Sequence, residues 1–142
     1  MTTYKLEHPT YDSISVTCVD PRFISATQSF LRDIGLKAPF PIQIAGGVCE
    51  LSTENPTGAR LHEVINVLST KIKDDLRIVL INHEDCAWYK YCGGGTVDHC
   101  VRDLQATTKI IQKNLPNAKI ECYMAKINHT PEGENITFES LS

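Results

Sequence analysis

The chain has 142 residues and a formal net charge of −3, from 14 lysines and arginines and 17 aspartates and glutamates. The apolar fraction of 42% and the charged fraction of 22% are those of a globular protein, which excludes whole-chain disorder, collagen and coiled coil. The length predicts a single domain over residues 1–142, the acidic balance argues against nucleic-acid binding, and no apolar run reaches the roughly 18 residues of a membrane-spanning helix.

The first half of the chain alternates between strand and helix patterns. Residues 1–13 have little periodicity, and we expect them to form an N-terminal arm. Residues 14–19 are short, β-branched and apolar, which predicts a strand that ends at Pro21. The next three segments predict a helix, a short strand and a helix with one apolar stripe, over residues 22–35, 40–44 and 58–73.

The second half contains the strongest strand pattern, over residues 76–81. Its nearly unbroken apolar run predicts burial on both faces, as in a parallel sheet. The later segments predict a loop, a helix, a strand and a C-terminal hairpin or arm, over residues 83–95, 96–115, 118–127 and 127–142. Strands that alternate with helices favour the α/β class, as one domain with a mainly parallel central β-sheet flanked by helices.

Chemically unusual residues follow two of these strands. Cys18, Asp20 and Arg22 alternate after the first strand, so their side chains would point to one side of an extended chain. The structural alternative is a buried Cys18 and an Asp20 that only caps the next helix. His83 and Cys86 follow the central strand, where the alternative is a turn with an incidental histidine. Because sites in α/β sheets gather at the carboxyl ends of strands, we expect Cys18, His83 and Cys86 to meet.

Two thiolates and one imidazole are a ligand set that selects zinc. Three protein ligands leave the fourth position of a tetrahedral ion open, which is typical of a catalytic zinc site and not of a structural one. The sequence therefore predicts a catalytic Zn²⁺ centre.

The motifs C-x-D-x-R and H-x-x-C resemble those of the β-class carbonic anhydrases. The segment that ends at Cys86 is similar to the H-T-D-C-G loop of the archaeal type of that family, and residues 44–47 resemble its R-N-A-G-G stretch. The likeness covers roughly residues 12–125. It implies the β-carbonic-anhydrase-like fold, zinc held by Cys18, His83 and Cys86, and reversible hydration of carbon dioxide to bicarbonate in a homodimer or higher oligomer.

The same resemblance implies the roles of two more residues. Asp20 would accept a hydrogen bond from zinc-bound water or hydroxide, and Arg22 would hold Asp20 off the metal. In some members of the family the aspartate itself takes the fourth position. The chain departs from the family pattern at Pro21, where serine is usual, and at Ala87, where glycine is usual. The short segment after Cys86 also lacks the extra helices that wall the pocket in the family.

Two other functions remain open from the sequence. A hydrolase of carbon disulfide or carbonyl sulfide would need the same metal hydroxide with a different access route. A non-catalytic zinc-binding homologue would keep the scaffold, although pure metal binding does not need Asp20 and Arg22. No stretch of signal-peptide type is found near the N-terminus, so we expect a cytoplasmic protein with reduced thiols.

The remaining cysteines and ionisable residues have simpler expected roles. Packing or loop positions are expected for Cys49, Cys92, Cys100 and Cys122. For three further residues we expect plain surface positions, with a proton-shuttle role as the alternative; they are His62, Glu84 and His99.

Overall fold

The computed structural model describes residues 1–141, whose strands form one five-stranded sheet. In chain order these are β1 (Ser13–Thr17), β2 (Pro39–Gln43), β3 (Arg77–His83), β4 (Lys119–Thr130) and β5 (Gly133–Ser140). Their order across the sheet is β2-β1-β3-β4-β5. The pairs among β2, β1, β3 and β4 are parallel, and β5 runs antiparallel to β4. The predicted α/β class with a mainly parallel central sheet is confirmed.

The helices of the described residues are α1 (Pro21–Asp33), α2 (Pro56–Ser69), α3 (Ala87–Tyr91) and α4 (Val97–Asn114), and a 3-10 turn covers Cys49–Ser52. Helix α2 begins two residues before the predicted start, because the Asn55 side chain accepts a hydrogen bond from the Gly58 N–H and Pro56 suits the first helical position. Helix α3 lies inside the segment predicted as a loop, and its five residues are too short to show a helical period.

The apolar core lies on both faces of the sheet. Ile78 and Leu80 of β3 point to the face covered by α2 and α4, where they join Ile65 and Leu104. The alternate residues of β3 point to the opposite face and pack with α1; the buried set there includes Val79, Ile81, Phe23 and Leu31. Residues 78–83 are all buried, so the predicted burial of this strand on both faces is confirmed.

Strand β2 forms one edge of the sheet. The N–H of Ile44 donates to the carbonyl oxygen of Thr17, so the backbone N–H and C=O groups of the even-numbered residues in this segment point towards β1. The backbone groups of the odd-numbered residues point to the open edge, and two of these residues are Pro39 and Pro41, which have no backbone N–H.

Residues 1–12 contain no helix or strand. The carboxylate of Asp12 accepts hydrogen bonds from the N–H groups of Lys37 and Ala38, which fixes the end of this segment beside β2. Further out, the side chains of Tyr4 and Leu6 are exposed. Across residues 1–141, no helix has the length and apolar character needed to cross a membrane.

Candidate metal centre

The structure brings the three predicted ligands together at the carboxyl ends of β1 and β3. Cys18 directly follows β1, His83 is the last residue of β3, and Cys86 occupies the N-cap position of α3. One ligand atom from each residue lies within 4.8 Å of those of the other two. The parallel pairing of β1 with β3 explains this placement, because both strands end at the same edge of the sheet.

The distances and hydrogen bonds of this cluster fit a metal ion. The Sγ atoms of Cys18 and Cys86 are 4.0 Å apart, and tetrahedral Zn–S bonds of about 2.3 Å would place them about 3.8 Å apart. The Nδ1–H of His83 donates to the carbonyl oxygen of Glu84 at 2.6 Å, and its buried Nε2 has no hydrogen-bond partner among the described residues. An unpartnered buried nitrogen is costly, and a metal would satisfy it. The group could therefore hold a metal ion.

The surroundings of Cys18 favour its thiolate. Burial raises the pKa of this thiol, but the neighbouring His83 ring and the backbone N–H groups of Asp20 and Gly46 outweigh it and lower the pKa to about 7. The His83 ring stacks on Phe23 of α1, with centroids 4.1 Å apart, so its plane is held by packing as well as by its Nδ1 hydrogen bond. These surroundings therefore favour the thiolate, which is the form in which a cysteine binds metals.

The other cysteine of the cluster, Cys86, lies at the start of α3. Burial raises the pKa of Cys86, and the N–H groups of Tyr89 and Trp88 partly offset that increase by donating to its sulfur. The hydroxyl of the buried Tyr89 donates to the Asp103 carboxylate at 2.8 Å and accepts from the Asn82 side chain at 2.9 Å. These bonds fasten α3 to α4 and β3. This role of Tyr89 was not predicted, because no periodic pattern links it to Asn82 and Asp103, which are 7 and 14 positions away.

Asp20 caps α1, as one of the two alternatives from the sequence has it, and it also forms an ion pair with Arg22. Its Oδ1 accepts a hydrogen bond from the Arg22 N–H at 3.0 Å, which caps α1. Its Oδ2 pairs with the Arg22 guanidinium at 2.8 Å, and this arginine lowers the pKa of Asp20. The same Oδ2 lies 3.9 Å from Nε2 of His83, so the carboxylate lies beside the cluster.

Arg22 also contacts the loop between His83 and Cys86. Its Nη1 donates to Oδ2 of Asp85, and its Nη2 donates to the Asp85 carbonyl oxygen, both at 3.0 Å. Lys90 of α3 pairs with the same carboxylate. Lys90 and Arg22 together lower the pKa of Asp85 to about 2, so it is ionised at neutral pH. Sequence reasoning missed Asp85, whose partner Arg22 is 63 positions away.

A cavity of about 400 Å³ opens beside the cluster. Its walls combine Cys18, Asp20 and Cys86 with apolar groups, which come from Val19, Pro21, Ala45, Ala87 and Trp88. The Trp88 ring lies against Gly46, where an added Cβ would meet its Cδ1 at 2.5 Å. Gly46 also has φ +81°, so both the close approach and the backbone favour glycine there.

The expectation of a surface position is wrong for His62. This residue is 4% exposed, and its Nε2 bonds with the carbonyl oxygen of Leu51 at 2.8 Å. It is spaced by a helical turn from the buried Gly58 and Ile65, so it belongs to the inner stripe of α2. The two other residues of that group are half-buried, namely Glu84 and His99.

The cysteines outside the cluster differ in burial. Cys49 and Cys100 pack in the group of side chains next to Cys86, and Cys122 is buried where β4 meets α4. Cys92 is exposed. None of these four falls within the group that could hold a metal.

Comparison with known proteins supports the fold. No family model matches the sequence, and no curated protein matches it. Among solved structures, β-carbonic anhydrase isoform I from the protozoan Trichomonas vaginalis matches with a TM-score of 0.52 and 16% sequence identity. The match covers 97% of this chain and 87% of that chain. The predicted β-carbonic-anhydrase-like fold is confirmed, and at this identity the likeness concerns the fold alone.

Proposed function

We propose that the protein is a zinc-dependent carbonic anhydrase that catalyses the reversible hydration of carbon dioxide to bicarbonate. The observation that carries the proposal is the convergence of Cys18, His83 and Cys86 around an unpartnered ring nitrogen, next to the Asp20–Arg22 pair. When bound there, zinc would act as a Lewis acid that lowers the pKa of a bound water and so supplies a nucleophile. The β-carbonic-anhydrase-like fold supports the same activity.

The chain's own residues would bind the ion and orient water. Two thiolates balance the charge of the dication, and the Nδ1 hydrogen bond of His83 leaves Nε2 as the ligand atom. The Asp20 carboxylate accepts a hydrogen bond from water on the open side of the cluster, which aims a lone pair of that water at the substrate. Arg22 keeps Asp20 ionised and oriented.

The lining of the cavity beside the cluster favours a small, neutral and apolar substrate. Its walls from Val19, Ala45 and Trp88 offer carbon surfaces to a linear molecule. Carbon disulfide and carbonyl sulfide share that shape and polarity, so a hydrolase of these molecules is the alternative that the cavity also accommodates. Parallel assays with the three substrates on the same zinc-loaded protein distinguish the two functions by their relative kcat/KM.

We also propose a cytoplasmic homodimer or higher homo-oligomer. Tyr4 and Leu6 are 88% and 74% exposed, and a second copy would cover this apolar surface. The proposed metal-binding role of Cys18 and Cys86 needs reduced thiols, which a reducing compartment such as the cytoplasm maintains. Sedimentation at micromolar concentration should give a species of at least two chains, and a monomer would contradict the assembly.

The test of the function combines metal content with stopped-flow hydration of carbon dioxide. Wild-type protein should hold about one zinc per chain and be active. Cys18→Ser and Cys86→Ser should lose both metal and activity, whereas the control Cys49→Ser should keep both, because Cys49 is outside the cluster. Zinc-loaded wild-type protein without hydration activity would refute the proposal.

A further inference from the structure

The Arg22 guanidinium lies between the two loops that carry the proposed metal ligands. On one side its Nη2 donates to Oδ2 of Asp20 at 2.8 Å, and its Nε donates to both oxygens of that carboxylate at 3.2 Å. On the other side it donates twice to Asp85 at 3.0 Å, once to the carboxylate and once to the carbonyl oxygen. Arg22 is therefore a bridge between the Cys18 loop and the loop from His83 to Cys86.

The backbone conformation of Asp85 allows this double contact. It is the one non-glycine residue with positive φ among residues 1–141, at 56°. In this conformation its carbonyl oxygen and its carboxylate both reach the same guanidinium. Lys90 pairs with the carboxylate from α3, so Asp85 is itself tied to the helix that follows Cys86.

The position of Asp20 explains why such an anchor matters. Its Oδ2 lies 3.9 Å from Nε2 of His83, and an oxygen and a nitrogen ligand of one tetrahedral zinc ion are about 3.4 Å apart. A movement of about half an ångström would thus bring this carboxylate to the distance expected for the fourth ligand. The ion pair with Arg22 is the contact that draws it the other way.

We propose that Asp85 is a positioning residue that anchors Arg22 and thereby keeps Asp20 off the fourth coordination position of the metal. The Arg22 side chain is 52% exposed, and an exposed ion pair with Asp20 alone is weak. Without the Asp85 carboxylate, Arg22 loses the hydrogen bond and the ion pair to that group and keeps only the bond to the backbone carbonyl oxygen of residue 85. The guanidinium is then held less firmly, and the Asp20 carboxylate moves to the dication. The inference rests on the metal site of the proposed function and is independent of the substrate.

The test follows access to the fourth position with cobalt and azide. Co²⁺-loaded protein absorbs visible light, and azide binding at an open position shifts this spectrum. Asp85→Gly removes the carboxylate and keeps the left-handed backbone without strain. If Asp20 then closes nine-tenths of the sites, the azide affinity falls about tenfold. Adding Asp20→Ser should restore the affinity, because serine still caps α1 but supplies no carboxylate.

A matched control separates this effect from the loss of any surface charge. Glu63→Gln removes an exposed carboxylate that pairs with Arg60 on α2, away from the cluster, and should leave azide affinity unchanged. Asp85→Asn repeats the test with a second residue that tolerates positive φ, in case the glycine variant is poorly folded.

Three results would overturn the role of Asp85. The first is equal azide affinity in the wild type and in both Asp85 variants. The second is a loss of affinity that persists in the double variant with Asp20→Ser, because the damage would then lie in the metal site itself. The third is a wild-type cobalt spectrum that azide shifts only after Asp20→Ser. A protein that follows the expected cobalt pattern but does not hydrate carbon dioxide refutes the proposed function and leaves the role of Asp85 supported.

Discussion

Replacing Asp20 by asparagine separates its structural role from its proposed catalytic role. Asparagine caps helices about as well as aspartate, so the hydrogen bond to the Arg22 N–H is retained. The ion pair with Arg22 is lost, and because that arginine is 52% exposed, the loss costs only about 0.5–1 kcal/mol of folding free energy. Zinc should remain bound, because Cys18, His83 and Cys86 are unchanged.

The effect on turnover should be much larger. An asparagine amide can present a donor where water needs an acceptor, and it carries no charge for Arg22 to orient. The expected loss in kcat is about 100-fold, or about 2.7 kcal/mol of transition-state stabilisation. The assay is stopped-flow hydration of carbon dioxide at matched zinc content, with a thermal melt on the same samples.

A second carboxylate provides the control. Asp12 also accepts hydrogen bonds from backbone N–H groups, but it lies at the opposite end of β1. Asp12→Asn should therefore affect the melting temperature and leave kcat unchanged. Equal rates for the wild type and Asp20→Asn at full zinc occupancy would refute the catalytic role of the Asp20–Arg22 pair.

Three further predictions concern stability. Arg77 lowers the pKa of Glu121, so the pair stabilises the fold at pH values above the unfolded pKa of about 4.3. This contribution is lost as the pH falls through the lower pKa of the folded state. In denaturant melts over that pH range, Glu121→Gln should therefore lose less stability than the wild type does. Gly46→Ala places a Cβ against Trp88 at positive φ, and we expect a denaturation free energy lower by about 2 kcal/mol or more. Tyr89→Phe removes the hydrogen bonds of the hydroxyl to the buried Asn82 and the half-buried Asp103, and the same measurement should show a loss of about 1–3 kcal/mol, whereas an unchanged value would mean that water replaces the hydroxyl.

The parts of the structure that follow from local sequence could be predicted. The apolar run of β3 indicates burial on both faces, and the carboxyl ends of β1 and β3 then bring Cys18 near His83 and Cys86. Because neighbouring parallel strands end at the same edge of the sheet, residues that directly follow two such strands can be expected to lie close together.

Long-range pairings and very short elements could not be predicted. The contact between Arg22 and Asp85 joins residues 63 positions apart, and no periodicity encodes it. Helix α3 has five residues, less than two helical turns, and it is held by the Tyr89 hydroxyl bonds more than by its own pattern. The burial of His62 could not be predicted, because a polar residue next to an apolar stripe usually lies at the solvent-exposed border of that stripe. Its buried partner, the carbonyl oxygen of Leu51, is known only from the structure.

The prolines of β2 limit how the sheet can be extended. A strand from another molecule that approached this edge would find carbonyl acceptors at Pro39 and Pro41 but no N–H donors, so a continuous ladder could not form. This edge is thereby protected against the strand-to-strand association that leads to aggregation. Any sheet that continues from one copy of the chain into another must instead use the outer edge of β5, at the opposite side of the molecule.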